Sequence, residues 1–181
     1  MKRFFYLILL SFITTCAFSQ RDLTHFEGVW KAEINDTIFR IKLKQVTITQ
    51  GGKNENTILG GYSLSVKGVL VQDYIKEIPD SWDLSLWSSE INGYIWGIDT
   101  GEDNLAVKFY DQKKKHFNGN GITGGIIQPF YWNDTLFWLL DEEAGILWET
   151  EGDYLGPTIK PIGFSVPSCA IMTREEEEEE E

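Results

Sequence analysis

From residue 26 onward the chain alternates. In Phe39-Arg40-Ile41-Lys42-Leu43-Lys44 the apolar residues Phe39, Ile41 and Leu43 share one side of an extended backbone, and Arg40, Lys42 and Lys44 share the other. A period of two sends successive side chains to opposite faces of a sheet, whereas a helix needs apolar residues three and four apart. The alternation returns in Ile58, Gly60, Tyr62 and Leu64, then in residues 69–75, in Trp82, Leu84 and Leu86, and in residues 91–98 and 105–110. Turn chemistry separates these runs: Asn35-Asp36, residues 50–54, Lys67-Gly68, residues 78–81 and residues 100–104. After Gln45 the phase slips to Val46 and Ile48, which reads as a β-bulge in a long bent strand. Residues 130–140 are apolar on both faces and read as one central strand, followed by a polar turn at 141–145. Pro157, Pro161 and Pro167 make the next stretch irregular, before a closing strand over 166–173. Asn35-Asp36-Thr37-Ile38-Phe39 is echoed by Asn133-Asp134-Thr135-Leu136-Phe137, which suggests shared hairpin chemistry. No stretch of the mature domain reads as a substantial helix. The expected fold class is all-β: an antiparallel meander β-barrel of about 8–10 strands, with a sandwich as the other architecture open to many short strands.

The ends of the chain read differently. Met1-Lys2-Arg3 is a charged start, an apolar run follows to Phe18, and Ala17-Phe18-Ser19 offers small residues for cleavage. Residues 1–19 are therefore expected to be a secretory signal peptide cut before Gln20, and the protein to be exported: periplasmic, cell-surface or secreted. Acylation at Cys16 would instead make a lipoprotein, although Thr15 before the cysteine matches that signal poorly. No other segment is long and apolar enough to be a transmembrane helix. Cys169 is then the one remaining thiol, so the core must hold the fold without an internal disulfide; its apolar surroundings suggest a buried, inert thiol.

The formal charge is −12; removing Lys2 and Arg3 with the leader makes it −14. Seven of the acids form the run at residues 175–181, and setting them aside leaves −7. Such a surface repels phosphate backbones, so nucleic acid is excluded as a partner class. Like charges at this density favour a disordered tail. A single domain is expected over residues 20–174.

Catalytic chemistry is hard to place. His25 and His116 are the two histidines, and both read as solvated loop residues. The chain lacks Gly-x-Ser-x-Gly, His-Glu-x-x-His, P-loop and Cys-x-x-Cys patterns. Asp141-Glu142-Glu143 could meet Ca²⁺ with Asp134 or Glu149, but lacks EF-hand spacing and reads as a charged turn. Paired carboxylates for glycoside hydrolysis are invisible in sequence alone. Residues 119–125 are glycine-rich without the lysine of a phosphate loop, and read as a flexible loop at the barrel mouth. No catalytic residue, metal ligand or cofactor is expected. The aromatic residues are the richer signal, because all seven tryptophans lie beyond the leader. In a barrel they either line a cavity or fill the core.

Gly28-Val29-Trp30, at the start of the first strand, resembles the Gly-x-Trp motif of lipocalins and related calycins. That resemblance implies a barrel in which Trp30 packs across one end while the glycine lets the chain pass closely. More narrowly, the chain resembles small secreted bacterial lipocalin-like families of unknown function, whose C-terminal pattern is similar to Gly163-Phe164-Ser165-Val166-Pro167. On this basis Trp30, Phe39, Ile41, Leu43, Tyr62, Trp96 and Trp138 are the candidates for ligand-lining or barrel-closing positions. The functional expectation is a secreted barrel that binds a small apolar or glycan ligand. The alternative is a structural or interaction module of the cell envelope with a filled core, and a hydrolase on a barrel scaffold comes third.

Overall fold

The structure is a computed structural model that describes residues 21–83, 93–114, 122–130, 134–141, 146–150, 153–155 and 163–176. The strands are β1 (Gly28–Ile34), β2 (Thr37–Gln50), β3 (Lys53–Val66), β4 (Val69–Asp73), β5 (Ser81–Asp83), β6 (Ile95–Asp99), β7 (Leu105–Phe109), β8 (Ile122–Phe130), β9 (Thr135–Leu140), β10 (Ile146–Thr150), β11 (Asp153–Leu155) and β12 (Cys169–Glu175). Eight of them close on themselves in the order β1-β2-β3-β6-β7-β8-β9-β12, with β12 returning antiparallel to β1. This is the expected all-β antiparallel barrel, built as an up-and-down meander. β4, β5, β10 and β11 attach outside the ring, on β3, β2, β8 and β10 respectively. Helical structure among the described residues is limited to one 3-10 turn, Thr24–Phe26.

The echoed strings both place a left-handed residue in their turns, but at different positions: Asn35 (φ 54°), the first residue of one, and Asp134 (φ 47°), the second of the other, a conformation that short polar side chains tolerate. The second of these turns divides residues 130–140, which belong to the β8–β9 hairpin rather than to one central strand. The run is apolar on both faces because β9 carries Leu136, Trp138 and Leu140 into the core and leaves Phe137 and Leu139 half-buried outside.

Alternate residues of each barrel strand fill the interior. Ala32 and Trp30 come from β1, Phe39, Ile41 and Leu43 from β2, and Ile58, Tyr62 and Leu64 from β3. Ile95, Leu105, Val107, Phe109, Ile127, Leu136, Trp138, Leu140, Ala170 and Met172 complete the ring. The phase read from residues 39–44 is therefore correct.

The slip after Gln45 has a different cause from the one expected. The β2–β3 pairing runs without interruption from Thr37 opposite Val66 to Gln50 opposite Lys53, so β2 has no bulge against β3. Instead β2 outruns the barrel and buries its other face. Val46 and Ile48 join Leu59 and Trp82 in a second, outer cluster, with Ile78 and Trp96 against it. The cover is a strap formed by residues 74–80. It leaves β4 on one edge of β3, crosses the outside of β3 and β2, and ends in β5, parallel to β2. The strap is held by the Tyr74 N–H to the Tyr62 carbonyl (2.8 Å), Lys44 Nζ to the Ile78 carbonyl (2.8 Å) and the Thr47 N–H to the Asp80 carbonyl (3.0 Å). A β-carbon on Gly61 would collide with the Tyr74 carbonyl and lie 2.9 Å from the Ile75 α-carbon, so the crossing requires glycine.

Other expectations need correction. Cys169 is exposed: it opens β12 in the outward phase, with Ala170 and Met172 pointing in. Gly124 and Gly125 lie within β8 rather than in a mouth loop. His25 is half-buried against Phe26, with ring centroids 4.1 Å apart, and burial holds its imidazole below the usual 6.5 despite the nearby Asp103 carboxylate. Glu175 belongs to β12 rather than to the acidic tail. The leader and Cys16, Leu84, Leu86, His116, Gly119, Glu142, Glu143 and residues 177–181 lie outside the described residues.

Candidate functional site

Trp30 closes one end of the barrel. It is 2% exposed and its indole N–H donates to the Phe26 carbonyl at 2.9 Å. The 3-10 turn thus brings Leu23 and Phe26 under the barrel as a floor, both 1% exposed. Arg174 of β12 lies over the Trp30 ring at 4.2 Å. Its guanidinium donates to the carbonyls of Glu27 and His25 and, through Nε, to Asp134 at 3.0 Å. Gly28 makes room for it: φ is +114°, and a β-carbon there would lie 2.6 Å from Arg174 Nη1. Gly28, Trp30 and Arg174 therefore form one unit that ties the first strand to the last. Sequence reasoning found the first two and missed Arg174, whose signal was a cation just before the acidic run.

The same seam carries a second ion pair. Arg40 donates Nε and Nη2 to the two oxygens of Glu175 at 2.8 and 3.0 Å. The hydrogen bonds from Arg40 hold the Glu175 carboxyl below its usual 4.5. A depressed carboxyl contributes stability above the unfolded-state pKa and loses it as pH falls through the folded value. The pair is partly solvated, so Glu175→Gln is expected to lower stability at pH 7 by about 0.5–1 kcal/mol. The difference from the parent should shrink as the pH is lowered below the ordinary carboxylate range, followed by urea melts at pH 7 and at successively lower pH.

The opposite end is plugged. Residues 163–168 fold across it and bury Val166 in the core. Trp138 Nε1 donates to the Pro167 carbonyl (2.9 Å), and the Leu140 N–H donates to the Ser168 carbonyl (2.7 Å). Asp111, 4% exposed, is the latch. One oxygen accepts from the Lys113 and Lys114 N–H groups and from Ser165 Oγ, and the other accepts from the Ser165 N–H at 2.6 Å. Gln72 donates to the Ser165 carbonyl at 3.2 Å. Above this latch Tyr62, Tyr74 and Tyr94 stack in a cluster with Phe109. Tyr62 accepts a hydrogen bond from the Gln112 N–H at 2.9 Å, and burial pushes its phenol pKa far above normal.

Between the two ends the candidates meet. Trp138 contacts Phe39 and Phe109 edge-on, each at 5.6 Å, and Phe109 contacts Tyr62 at 5.1 Å. Phe39, Ile41, Tyr62 and Trp138 are 0% exposed, and Leu43 is 2% exposed. Six of the seven candidates thus share one filled interior. Trp96 does not: it is on the outer phase of β6 and packs against Trp82 and its neighbours. Sequence reasoning placed Trp96 with the interior candidates because it had no signal for the outer cluster. Among the described residues, clefts on the outer surface include one of about 610 Å³ beside Gly28, Lys42, Lys44 and Lys76, and one of about 470 Å³ beside Gly124, Ile126, Leu139, Asp141 and Ser168.

Residues 1–175 match a protein family described as a family of unknown function, DUF6705. The chain belongs to the DUF6705 family. The match ends at Glu175, where β12 ends, so the Arg40–Glu175 seam of this DUF6705 protein falls inside it. Neither a curated protein nor a solved structure matches the chain. Among the described residues no group of three or more His, Cys, Asp or Glu side chains is placed to hold a metal ion.

Proposed function

We propose that this DUF6705 protein is an exported, non-catalytic barrel of lipocalin-like build that works through its outer surface, as an interaction module of the cell envelope. The observation that carries this reading is the filled interior, where Trp138, Phe39, Phe109 and Tyr62 occupy each other's ring faces and edges. A carrier of an apolar ligand needs an open cavity of about 300 Å³ or more, lined by such residues rather than filled by them. The polar groups of the plugged end are engaged in holding residues 163–168, which leaves Ser165 no role as a nucleophile. A small ligand, glycan or otherwise, fits this reading in the outer cleft beside Lys42, Lys44 and Lys76. Export follows from the leader, with lipidation at Cys16 as the variant that would hold the module at a membrane.

Titration with an environment-sensitive apolar dye and with a long-chain fatty acid tests the filled barrel. Neither should bind stoichiometrically or quench the tryptophan fluorescence. One-to-one binding that is lost in Val107→Trp, a change that overfills the interior, would restore the ligand-carrier reading. N-terminal sequencing of the protein recovered from an exporting host should begin at Gln20 or Arg21, and a retained Met1 would end the export reading.

A further inference from the structure

The acidic run starts on the barrel rather than in solvent. Its first residue, Glu175 of β12, accepts two hydrogen bonds from Arg40 at 2.8 and 3.0 Å, with Lys31 Nζ 3.8 Å away. Its second, Glu176, lines the outer cleft of about 610 Å³. Lys42 and Lys44 of β2, Lys76 and Glu77 of the strap, and Arg174 and Glu175 of β12 line the same cleft. The chain before Gly28 turns under the barrel, so the cleft opens where β1 leaves the sheet. The charges there are not equally engaged. Arg174 is held by the His25 and Glu27 carbonyls and by Asp134, and a Glu27 carboxylate oxygen accepts the Gln45 N–H. Lys44 donates to the Ile78 carbonyl and pairs with Asp80 at 2.7 Å. Lys76 lies over the Tyr94 ring at 5.4 Å, with Glu77 beside it in the chain. Lys42 is half-buried, and among the described residues no carboxylate pairs with it.

We infer that the glutamates after Glu175 dock in this cleft, with Glu177 on Lys42. The register carries the assignment. Glu175 and Lys42 both lie opposite Val29, so they share a row across β12, β1 and β2. Glu175 nevertheless pairs with Arg40, one outward position earlier on β2, which shows that the two side chains reach across β1 on a diagonal. β12 and β2 are both antiparallel to β1 and so run in the same direction. Outward residues recur every second position, ~6.6 Å apart on either strand. One such step takes Glu175 to Glu177 and Arg40 to Lys42, so the diagonal that joins the first pair also joins the second. A further step reaches Lys44, which Asp80 already holds, so the docked stretch is short. Consecutive carboxylates repel one another, and a cleft that holds an unpaired cation is where one of them sheds most of that repulsion. An ion pair of this kind is solvated and weak, so the tail docks and releases rather than locking. A partner that uses this cleft must displace the tail, which makes the tail a competitor against acidic ligands. The docking itself holds whether or not the cleft takes a ligand.

A carbodiimide joins an amine to a carboxylate in ion-pair contact without adding a spacer, and peptide mapping then shows which residues were joined. On the full chain in 20 mM salt, Lys42 should be the lysine most often joined to residues 177–179. The yield should fall at least about fivefold in 0.5 M salt, because screening weakens a solvated ion pair. Lys53 and Lys67, which lie away from the cleft, should not be joined to the tail. An equal mixture of isotopically light and heavy protein should show the Lys42 link within one copy. Glutamyl endopeptidase gives a readout that does not use the lysine amine. In 20 mM salt it should trim the tail of Lys42→Gln at least about threefold faster than that of the parent, while Lys53→Gln matches the parent; in 0.5 M salt all three should be trimmed alike. Any of three results would overturn the proposal: tail links to Lys53 or Lys67 as frequent as those to Lys42, links only between light and heavy copies, or equal trimming of Lys42→Gln and the parent in 20 mM salt. None of these outcomes bears on the filled interior, which the dye titration tests separately.

Discussion

Trp30→Ala is expected to remove about 3–5 kcal/mol of stability, enough to unfold much of a domain whose total is about 5–15 kcal/mol. The truncation leaves a cavity beneath the barrel, where Trp30 was 2% exposed. It strands the Phe26 carbonyl that accepted the indole N–H, and it removes the ring on which Arg174 rests. Because Arg174 also bonds to Glu27, His25 and Asp134, the loss spreads from the floor to the β1–β12 seam. Trp30→Phe separates the contributions. It keeps an aromatic face for Arg174 and most of the volume, and should lose the hydrogen-bond part, about 1–2 kcal/mol. Lys42→Ala, on the outward phase of β2, should stay within about 0.5 kcal/mol of the parent. Urea melts of the three variants check the series. Equal stability of Trp30→Ala and Lys42→Ala would mean that Trp30 does not close the barrel.

The barrel could be read from the sequence because a half-buried strand writes its geometry into consecutive residues. Phe39, Ile41 and Leu43 against Arg40, Lys42 and Lys44 specify both the strand and the side that faces in. The same local rule failed at Val46 and Ile48. A change of phase in one strand cannot say whether the backbone slipped or the core moved to the other face, because the strap that covers the other face lies about thirty residues on in the sequence. Trp96 was misplaced for the same reason, and Cys169 because an apolar neighbourhood in sequence does not say which neighbours point inward. Of the two barrel ends, the Trp30 end was legible through Gly28-Val29-Trp30, though its Arg174 was not. The plugged end was visible as the string from Gly163 to Pro167 but not as a latch, since the contact of Ser165 with Asp111 spans 54 positions. The filled interior was one of two readings of the aromatic residues and could not be decided from sequence: whether Trp138 lines a cavity or closes it depends on Phe39 and Phe109 meeting it from other strands.

Gly61→Ala is expected to be the most damaging glycine-to-alanine change among the described residues. The strap backbone lies against Gly61 so closely that the new methyl would overlap the Tyr74 carbonyl, a backbone atom that cannot rotate away. Glycine-to-alanine changes that fit gain about 0.4–1 kcal/mol by restricting the unfolded chain, and that gain sets the baseline here. Forcing backbone apart in a packed structure costs about 1–3 kcal/mol and occasionally more, so the net loss should exceed about 1 kcal/mol and reach several. The damage should also have a direction. Lifting the strap weakens the Tyr74-to-Tyr62 and Thr47-to-Asp80 hydrogen bonds, loosens the Tyr74 ring from Tyr62 and Tyr94, and opens the outer cluster of Val46, Ile48, Leu59 and Trp82, while the Trp138, Phe39 and Phe109 contacts of the barrel interior, which do not touch the strap, are kept. Hydrogen exchange should therefore speed up at the Tyr74 and Thr47 amides and remain slow at inward-facing positions such as Tyr62 and Phe109. Gly124→Ala is the matched control: it sits in a strand with open space beyond it, so the same methyl should be neutral or slightly stabilising. If Gly61→Ala melts like Gly124→Ala and the Tyr74 amide stays protected, the strap does not cross β3 at Gly61, and the outer core must be covered from another direction.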